Sequence, residues 1–129
     1  MHGLLPFKHI DHLHPDAAIA IAAAKDSRAI THEIWGDTMG WVPWQRPGFD
    51  LGLIMQAAAA QNPAYKGLIM GQHGLINWAD DDKACYELTL RLIEKAARYI
   101  ARFDKGDQTF GGQKYVSPDA AAREDLLVR

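Results

Sequence analysis

Two histidines near the start of the chain have the spacing of metal ligands. Three of the six histidines in the chain lie within the segment HIDHLHPD, residues 9–16. Side chains two apart in a strand point to the same side, so His12 and His14 would share one face with Cα atoms roughly 6.6 Å apart. Two imidazoles at this spacing can bind one ion. The pair alone is a weak signal, and a third ligand would strengthen it.

His73 is the best candidate for the third ligand. It lies in the segment GQHG, where glycines flank a predicted turn between two apolar runs and allow the side chain to be aimed rather than simply buried. Three histidines without a thiolate are typical of a catalytic site, in which the open position takes water or substrate. A divalent ion there would act as a Lewis acid on a substrate oxygen.

The other histidines fit this pattern less well. His9 falls on the opposite face of the predicted strand and is interpreted as structural or as a neighbour of the ligands. His32 lies in a strand-like run and is interpreted as structural, while the spacing does not place His2. Asp11 also points to the wrong face to serve as a catalytic base, and Asp16 suits a helix start.

The predicted elements alternate between strands and helices. We expect an extended segment over residues 7–14, a helix over 15–25 with Pro15 in its first position, and a strand over 29–35. The tryptophan-rich residues 35–47 would form a rigid loop or a short strand pair. A helix over 49–61 and a strand, turn and strand over 66–78 follow, with the turn at 72–74.

The strongest predicted helix follows an N-cap at Asp80. Its apolar positions recur every three or four residues and indicate one buried stripe, formed by Cys85, Leu88, Leu92, Ala96, Tyr99 and Phe103. We interpret Cys85 as a core residue rather than a ligand or nucleophile. A further helix could begin at Pro118.

Composition excludes several functional classes. A chain of 129 residues with 48% hydrophobic and 23% charged residues is an ordinary globular domain. A formal net charge of -2 and no basic stripe argue against nucleic-acid binding. The single cysteine fits a reducing compartment, and no apolar run is long enough to cross a membrane. We therefore expect a cytoplasmic protein that binds neither nucleic acid nor membrane.

Several segments resemble a known family. DHLHPDAAIAIAAAK and GLIMGQHGLINWADDDKACYE resemble the zinc-binding segments of the class II aldolases, whose family includes adducin. GDTMGWVPWQRPGFDLGL is similar to the branch in which a rhamnulose-1-phosphate aldolase is fused to a short-chain dehydrogenase. Carried over residue by residue, the resemblance implies that His12, His14 and His73 are the zinc ligands.

The resemblance also implies a fold and a reaction. The fold would be α/β, with three α/β/α layers around a mostly antiparallel sheet that is incomplete in this chain. Residues 1–105 would be the C-terminal portion of the aldolase domain, and 106–129 a connecting tail towards a missing downstream region. The reaction would be zinc-dependent retro-aldol cleavage of rhamnulose 1-phosphate, a small phosphorylated ketose, to dihydroxyacetone phosphate and L-lactaldehyde. Zn²⁺ would stabilise the enediolate, at a site near a subunit interface of a homo-oligomer.

Two departures from the family pattern limit what we expect of this chain alone. The carboxylate that acts as general acid/base in the family lies upstream of the first zinc histidine, and residues 1–11 contain no glutamate. The segment FGGQKY does not fit the dinucleotide-binding pattern of the dehydrogenase half. We therefore expect that zinc binding survives in this fragment and that turnover does not.

Other functions remain open at this point. Related family members are epimerases or dehydratases of sugar phosphates, and adducin is a non-catalytic binding module without a stoichiometric metal. Trp41, Trp44 and Arg46 are interpreted as core or interface packing, with a role beside the substrate as the alternative.

Overall fold

The fold is taken from a computed structural model, which describes residues 2–109, 111–112 and 114–127. The strands are β1 His9–Leu13, β2 Met39–Val42, β3 Gly67–Met70 and β4 Gly74–Ala79. The helices are α1 Asp16–Ala23, α2 Ser27–Trp35, α3 Phe49–Gln61, α4 Asp82–Ala101 and α5 Ala120–Leu127, with short 3-10 turns at His2–Leu4, Gly36–Thr38 and Gly106–Gln108. Positions 110 and 113 of the glycine-containing segment 110–115, and residues 128–129 of the tail, lie outside the described residues.

The four strands form one mixed sheet in the order β1-β4-β3-β2. β4 pairs antiparallel with both β1 and β3, whereas β2 and β3 are parallel. The expected mostly antiparallel sheet is confirmed. This topology brings the end of β1, the start of β4 and the ends of β2 and β3 to the same edge of the sheet.

Helices cover both faces of the sheet and complete three layers. On one face, α3 buries Leu51 and Met55 against Leu68, Met70 and Ile76. On the other face, α1, α2 and α4 pack against Ile69 and Leu75. The α1 helix packs closely because the residues it buries are mostly small, as its alanine-rich sequence predicts; these are Ala18, Ile21 and Ala22.

The predicted strand over residues 29–35 is wrong, because this segment belongs to α2, Ser27–Trp35. Its β-branched Ile30 and Thr31 favour a strand locally, but the buried positions are Ser27, Thr31 and Trp35. A spacing of four is helical, so packing of this face against the sheet overrides the local preference.

The long helix α4 follows the predicted pattern with two corrections. Its N-cap is Asp81 rather than Asp80, since the Asp81 carboxylate accepts a hydrogen bond from the Ala84 N–H at 2.9 Å. Cys85, Leu92 and Ala96 are buried as predicted, but Phe103 lies past the end of the helix and is exposed. No helix among the described residues has both the length and the apolar character needed to cross a membrane.

A buried polar cluster joins β1, β4 and α4. The hydroxyl of Thr89, which is 2% exposed, lies 2.8 Å from the Asp11 carboxylate and 2.9 Å from the Asn77 side-chain oxygen. Asn77 is fully buried, and its amide donates to the Cys85 carbonyl at 3.2 Å. Each of these groups would be costly to bury unpaired, so the cluster holds the three elements in a fixed relation.

The substitution Thr89→Val keeps the shape of the side chain but removes the hydroxyl. It removes the one proton that the oxygens of Asp11, Asn77 and the Cys85 carbonyl share, so we expect the free energy of unfolding to fall by about 1–3 kcal/mol in urea denaturation. The exposed Thr38→Val is the control and should stay within roughly 0.5 kcal/mol of the wild type. Equal stability of the two variants would contradict the proposed role of the cluster.

Candidate metal centre

The three histidines singled out in the sequence come together at the edge of the sheet. His12 lies in β1 opposite Ile76 of β4, His14 follows the end of β1, and His73 directly precedes β4. The distances between ring centroids are 4.7 Å for His12 and His14, 5.1 Å for His12 and His73, and 4.9 Å for His14 and His73. One nitrogen from each ring lies within 4.8 Å of the others. Small side-chain rotations would bring these nitrogens to the roughly 3.3 Å separation that ligands of a tetrahedral zinc ion have.

The backbone of β4 determines which nitrogen His12 can offer. The Nδ1 of His12 lies 2.9 Å from the Leu75 carbonyl oxygen. A carbonyl can only accept a hydrogen bond, so Nδ1 carries the proton and the lone pair of the neutral ring is on Nε2. This fixing of tautomer and ring orientation by a backbone carbonyl is typical of metal-binding histidines.

His73 has the environment of a ligand rather than of a surface turn residue. Its Nδ1 is buried and forms no hydrogen bond with any described residue. Burial lowers the pKa of His73, and the nearby His12 and His14 lower it further. The ring therefore stays neutral at pH 7, which is the form that binds a metal.

Gly74 makes room for the ring of His14. A Cβ atom built on Gly74 would lie 2.5 Å from His14 Cδ2 and 2.8 Å from the Leu13 carbonyl oxygen. Both distances are well inside van der Waals contact, and the second involves backbone that cannot move aside. The glycine is thus required where β1 and β4 approach each other.

The other candidate residues do not join the three rings. His9 and Asp11 occupy the alternate positions of β1, and the Asp11 carboxylate is held by Thr89 on the α4 side. His32 lies on α2, not on a strand, with its side chain 74% exposed and 3.9 Å from Asp37. Asp16 is the first residue of α1, in agreement with its interpretation as a helix-start residue. Burial raises the pKa of the Cys85 thiol, which agrees with a core residue rather than a ligand or nucleophile. Trp41 packs against the core, whereas Trp44 and Arg46 are exposed and do not belong to it, so interface packing or a place beside the substrate stays a prediction for these two.

Sequence reasoning missed the groups that support the ligands. No sequence pattern identifies the Leu75 carbonyl as an acceptor, because every residue has a backbone carbonyl. Gly74 did have a signal: a glycine after the ligand and at the start of a strand implies a close approach of other atoms.

The three-imidazole set fits a catalytic metal site. Imidazole nitrogens suit zinc and neighbouring transition metals, and three protein ligands leave a coordination position for water or substrate. The unpaired Nδ1 of His73 and the hydrogen-bonded His12 agree with this use.

Comparison with known proteins establishes the family. The model of the class II aldolase and adducin N-terminal domain matches residues 2–100. This chain therefore belongs to the class II aldolase and adducin family.

This chain spans less than half of the length of each of three relatives. The uncharacterized oxidoreductase YuxG of Bacillus subtilis (strain 168) is 36% identical over 127 residues, which is 98% of this chain and 18% of that protein. The N-terminal class II aldolase domain of a conserved protein from Thermoplasma acidophilum is 25% identical with a TM-score of 0.67, covering 77% of this chain and 45% of that one. An aldolase II superfamily protein from Pseudomonas syringae has a TM-score of 0.58 at 19% identity, covering 93% of this chain and 47% of that one.

The substitution Gly74→Ala tests the space beside His14. The added methyl group would force His14 or β1 to move, so we expect the affinity for Zn²⁺, measured by competition with a chromogenic chelator, to fall more than about tenfold. Gly3→Ala is the matched control because a Cβ atom at Gly3 has no neighbour within 4 Å. The idea fails if both variants bind zinc as the wild type does.

The lowered pKa of His73 predicts how the stability of the metal-free protein depends on pH. The unfolded chain, with a histidine pKa near 6.5, binds this proton more readily than the folded chain. The contribution is therefore fully present above about pH 6.5 and is lost as the pH falls towards the lower folded value. Denaturation from pH 7.5 to 5.5 should show a smaller loss of stability in His73→Gln than in the wild type. Identical pH profiles would exclude this contribution.

Proposed function

We propose that this chain carries the metal-binding part of a class II aldolase that cleaves rhamnulose 1-phosphate to dihydroxyacetone phosphate and L-lactaldehyde. The observation that carries the proposal is the convergence of His12, His14 and His73 at the edge of the sheet. The small phosphorylated ketose is the substrate, and Zn²⁺ is the proposed ion.

The protein supplies an oriented set of ligands that carries no negative charge. When bound, a divalent cation provides a Lewis acid that stabilises negative charge developing on substrate oxygens. The Leu75 carbonyl holds the ring of His12, Gly74 admits the ring of His14, and burial keeps His73 neutral. Preorganised ligands of this kind avoid the cost of reorganisation during the reaction.

Proton transfer requires a group that this part of the structure does not place at the three rings. Among the described residues, the metal-type cluster contains histidines only, and the nearby Asp11 faces the other side of β1. We therefore assign no general acid/base within this chain and propose that turnover needs further polypeptide. The chain spans less than half of the first two structural relatives, and a larger whole is consistent with this proposal. The site would lie near a subunit interface of a homo-oligomer.

The length and name of YuxG support a fused enzyme. That protein is named an oxidoreductase, yet the matched region is 18% of its length. An oxidoreductase activity in the remainder would agree with an aldolase joined to a dehydrogenase.

A second candidate function keeps the site and changes the reaction. YgbL from Klebsiella pneumoniae, described as a candidate aldolase/epimerase/decarboxylase, has a TM-score of 0.62 at 23% identity, covering 97% of this chain and 60% of that one. At this identity the likeness shows the fold alone. Because related family members are epimerases, an epimerase acting on a pentulose phosphate is the alternative to test.

Metal content and product analysis separate these functions. We expect the purified chain to bind about one zinc ion by elemental analysis, His73→Ala to lose it, and the exposed His32→Ala to retain it. When this chain is joined to the further polypeptide that the proposal requires, rhamnulose 1-phosphate should release dihydroxyacetone phosphate, and His73→Ala should abolish that release.

Each other outcome favours a different function. Absence of bound metal in the wild type would favour an adducin-like binding module. Epimerisation of a pentulose phosphate without release of dihydroxyacetone phosphate would favour the alternative enzyme. Full turnover by the chain alone would refute the proposal that the acid/base group lies elsewhere.

A further inference from the structure

The turn that carries His73 is fixed to two other elements by its backbone. The Gly71 N–H donates to the Val42 carbonyl at the end of β2, at 2.9 Å. The Gln72 N–H donates to the Ala22 carbonyl of α1, also at 2.9 Å. The His73 N–H closes the turn onto the Met70 carbonyl at 3.0 Å.

Gln72 adopts a backbone conformation that needs such support. Its φ is +56°, in the left-handed region, and it is the sole non-glycine residue with a positive φ among those the structure describes. A residue with a side chain is held there only when the surrounding contacts fix it. The position of the next residue, His73, therefore depends on what surrounds the turn.

The ring of Trp41 lies directly on this turn. A Cβ atom built on Gly71 would be 3.1 Å from Trp41 Cζ2, so the indole fills the space beside the Gly71 backbone. The ring is held in turn by the indole N–H, which donates to the hydroxyl of Ser27 at 3.0 Å. Ser27 is the buried first residue of α2 and is 5% exposed.

We propose that Trp41, held by Ser27, is a positioning residue for His73, acting through the Gly71–Gln72 backbone. This inference rests on the metal site of the proposed function and adds to it a residue on the opposite side of the turn. In this proposal Trp41 does not contact the three rings. It determines the position of the His73 ring through the backbone of the turn. A tryptophan that served packing alone would support stability without affecting the ligand.

The test compares four substitutions in the groove that Ser27, Trp41 and Trp44 line beside Gly71 and Gln72. Trp41→Phe removes both the indole N–H and the atom nearest Gly71, and Ser27→Ala removes the acceptor while the indole stays. Trp44→Phe is the matched control, because Trp44 lines the same groove but is 57% exposed as a residue. Ser27→Thr keeps a hydroxyl and should restore the wild-type behaviour.

The first measurement is the affinity for Co²⁺ and Zn²⁺ by calorimetry, at a temperature where every metal-free variant is folded. We expect Trp41→Phe and Ser27→Ala to weaken binding about tenfold or more, as the loss of groups supporting a ligand does. Trp44→Phe and Ser27→Thr should stay within about twofold of the wild type. The visible spectrum of the Co²⁺ form should change in the first two variants, which a purely stabilising role would not produce.

The second measurement needs no metal. Modification of histidines by diethyl pyrocarbonate, followed by mass spectrometry, should show faster reaction of His73 in Ser27→Ala and Trp41→Phe. The exposed His32 serves as the internal reference. If the wild type binds no metal but His73 still reacts faster in the two variants, the positioning role stands and the metal function is rejected. Unchanged affinity and unchanged modification in both variants, or an equal loss in Trp44→Phe, would overturn the positioning role.

Discussion

The antiparallel register between β1 and β4 is the constraint on which the site depends. It places His12 opposite Ile76 and Leu13 opposite Leu75. The Leu75 carbonyl can then accept a hydrogen bond from His12, and the ring of His14 packs against Gly74. A slip of one residue would turn His12 to the α4 side, away from His73. The positions of His12 and His14 are therefore determined first by the pairing of β1 with β4 and only then by their side-chain conformations.

The two faces of β1 perform separate tasks. His12 lies on the face that carries the α3 core, and the ring of His14, just after the strand, lies beside it, whereas Asp11 lies on the face that meets α4. The hydrogen bond between Asp11 and Thr89 attaches β1 to α4. The hydrogen bond between His12 and the Leu75 carbonyl attaches β1 to β4. Alternation along a strand lets one short segment be both anchored in the fold and open to a ligand.

How much the sequence could predict follows from the range of each interaction. The strand of residues 9–13, the helix of 49–61 and the turn before Gly74 were predictable because their signals are local: period two, period three to four, and glycine at a bend. The α2 helix was not, since Ile30 and Thr31 favour a strand and only packing of Trp35 against the sheet decides the matter. The meeting of His73 with His12 and His14 could be inferred from residue types. The contact of His12 with the Leu75 carbonyl and that of Trp41 with Gly71 join distant segments and could not.

The charge of the ligand set explains what the site is suited to do. Three neutral imidazoles add no negative charge, and no carboxylate or thiolate joins the cluster among the described residues. The full charge of a divalent cation would then act on whatever occupies the open position, in contrast to a structural site with four thiolates, where the ligands neutralise the cation. A site that stabilises anionic oxygens needs this uncompensated charge. Asp11, the one carboxylate of β1, lies on the other face of the strand, where it is bound to Thr89, and does not join the ligands.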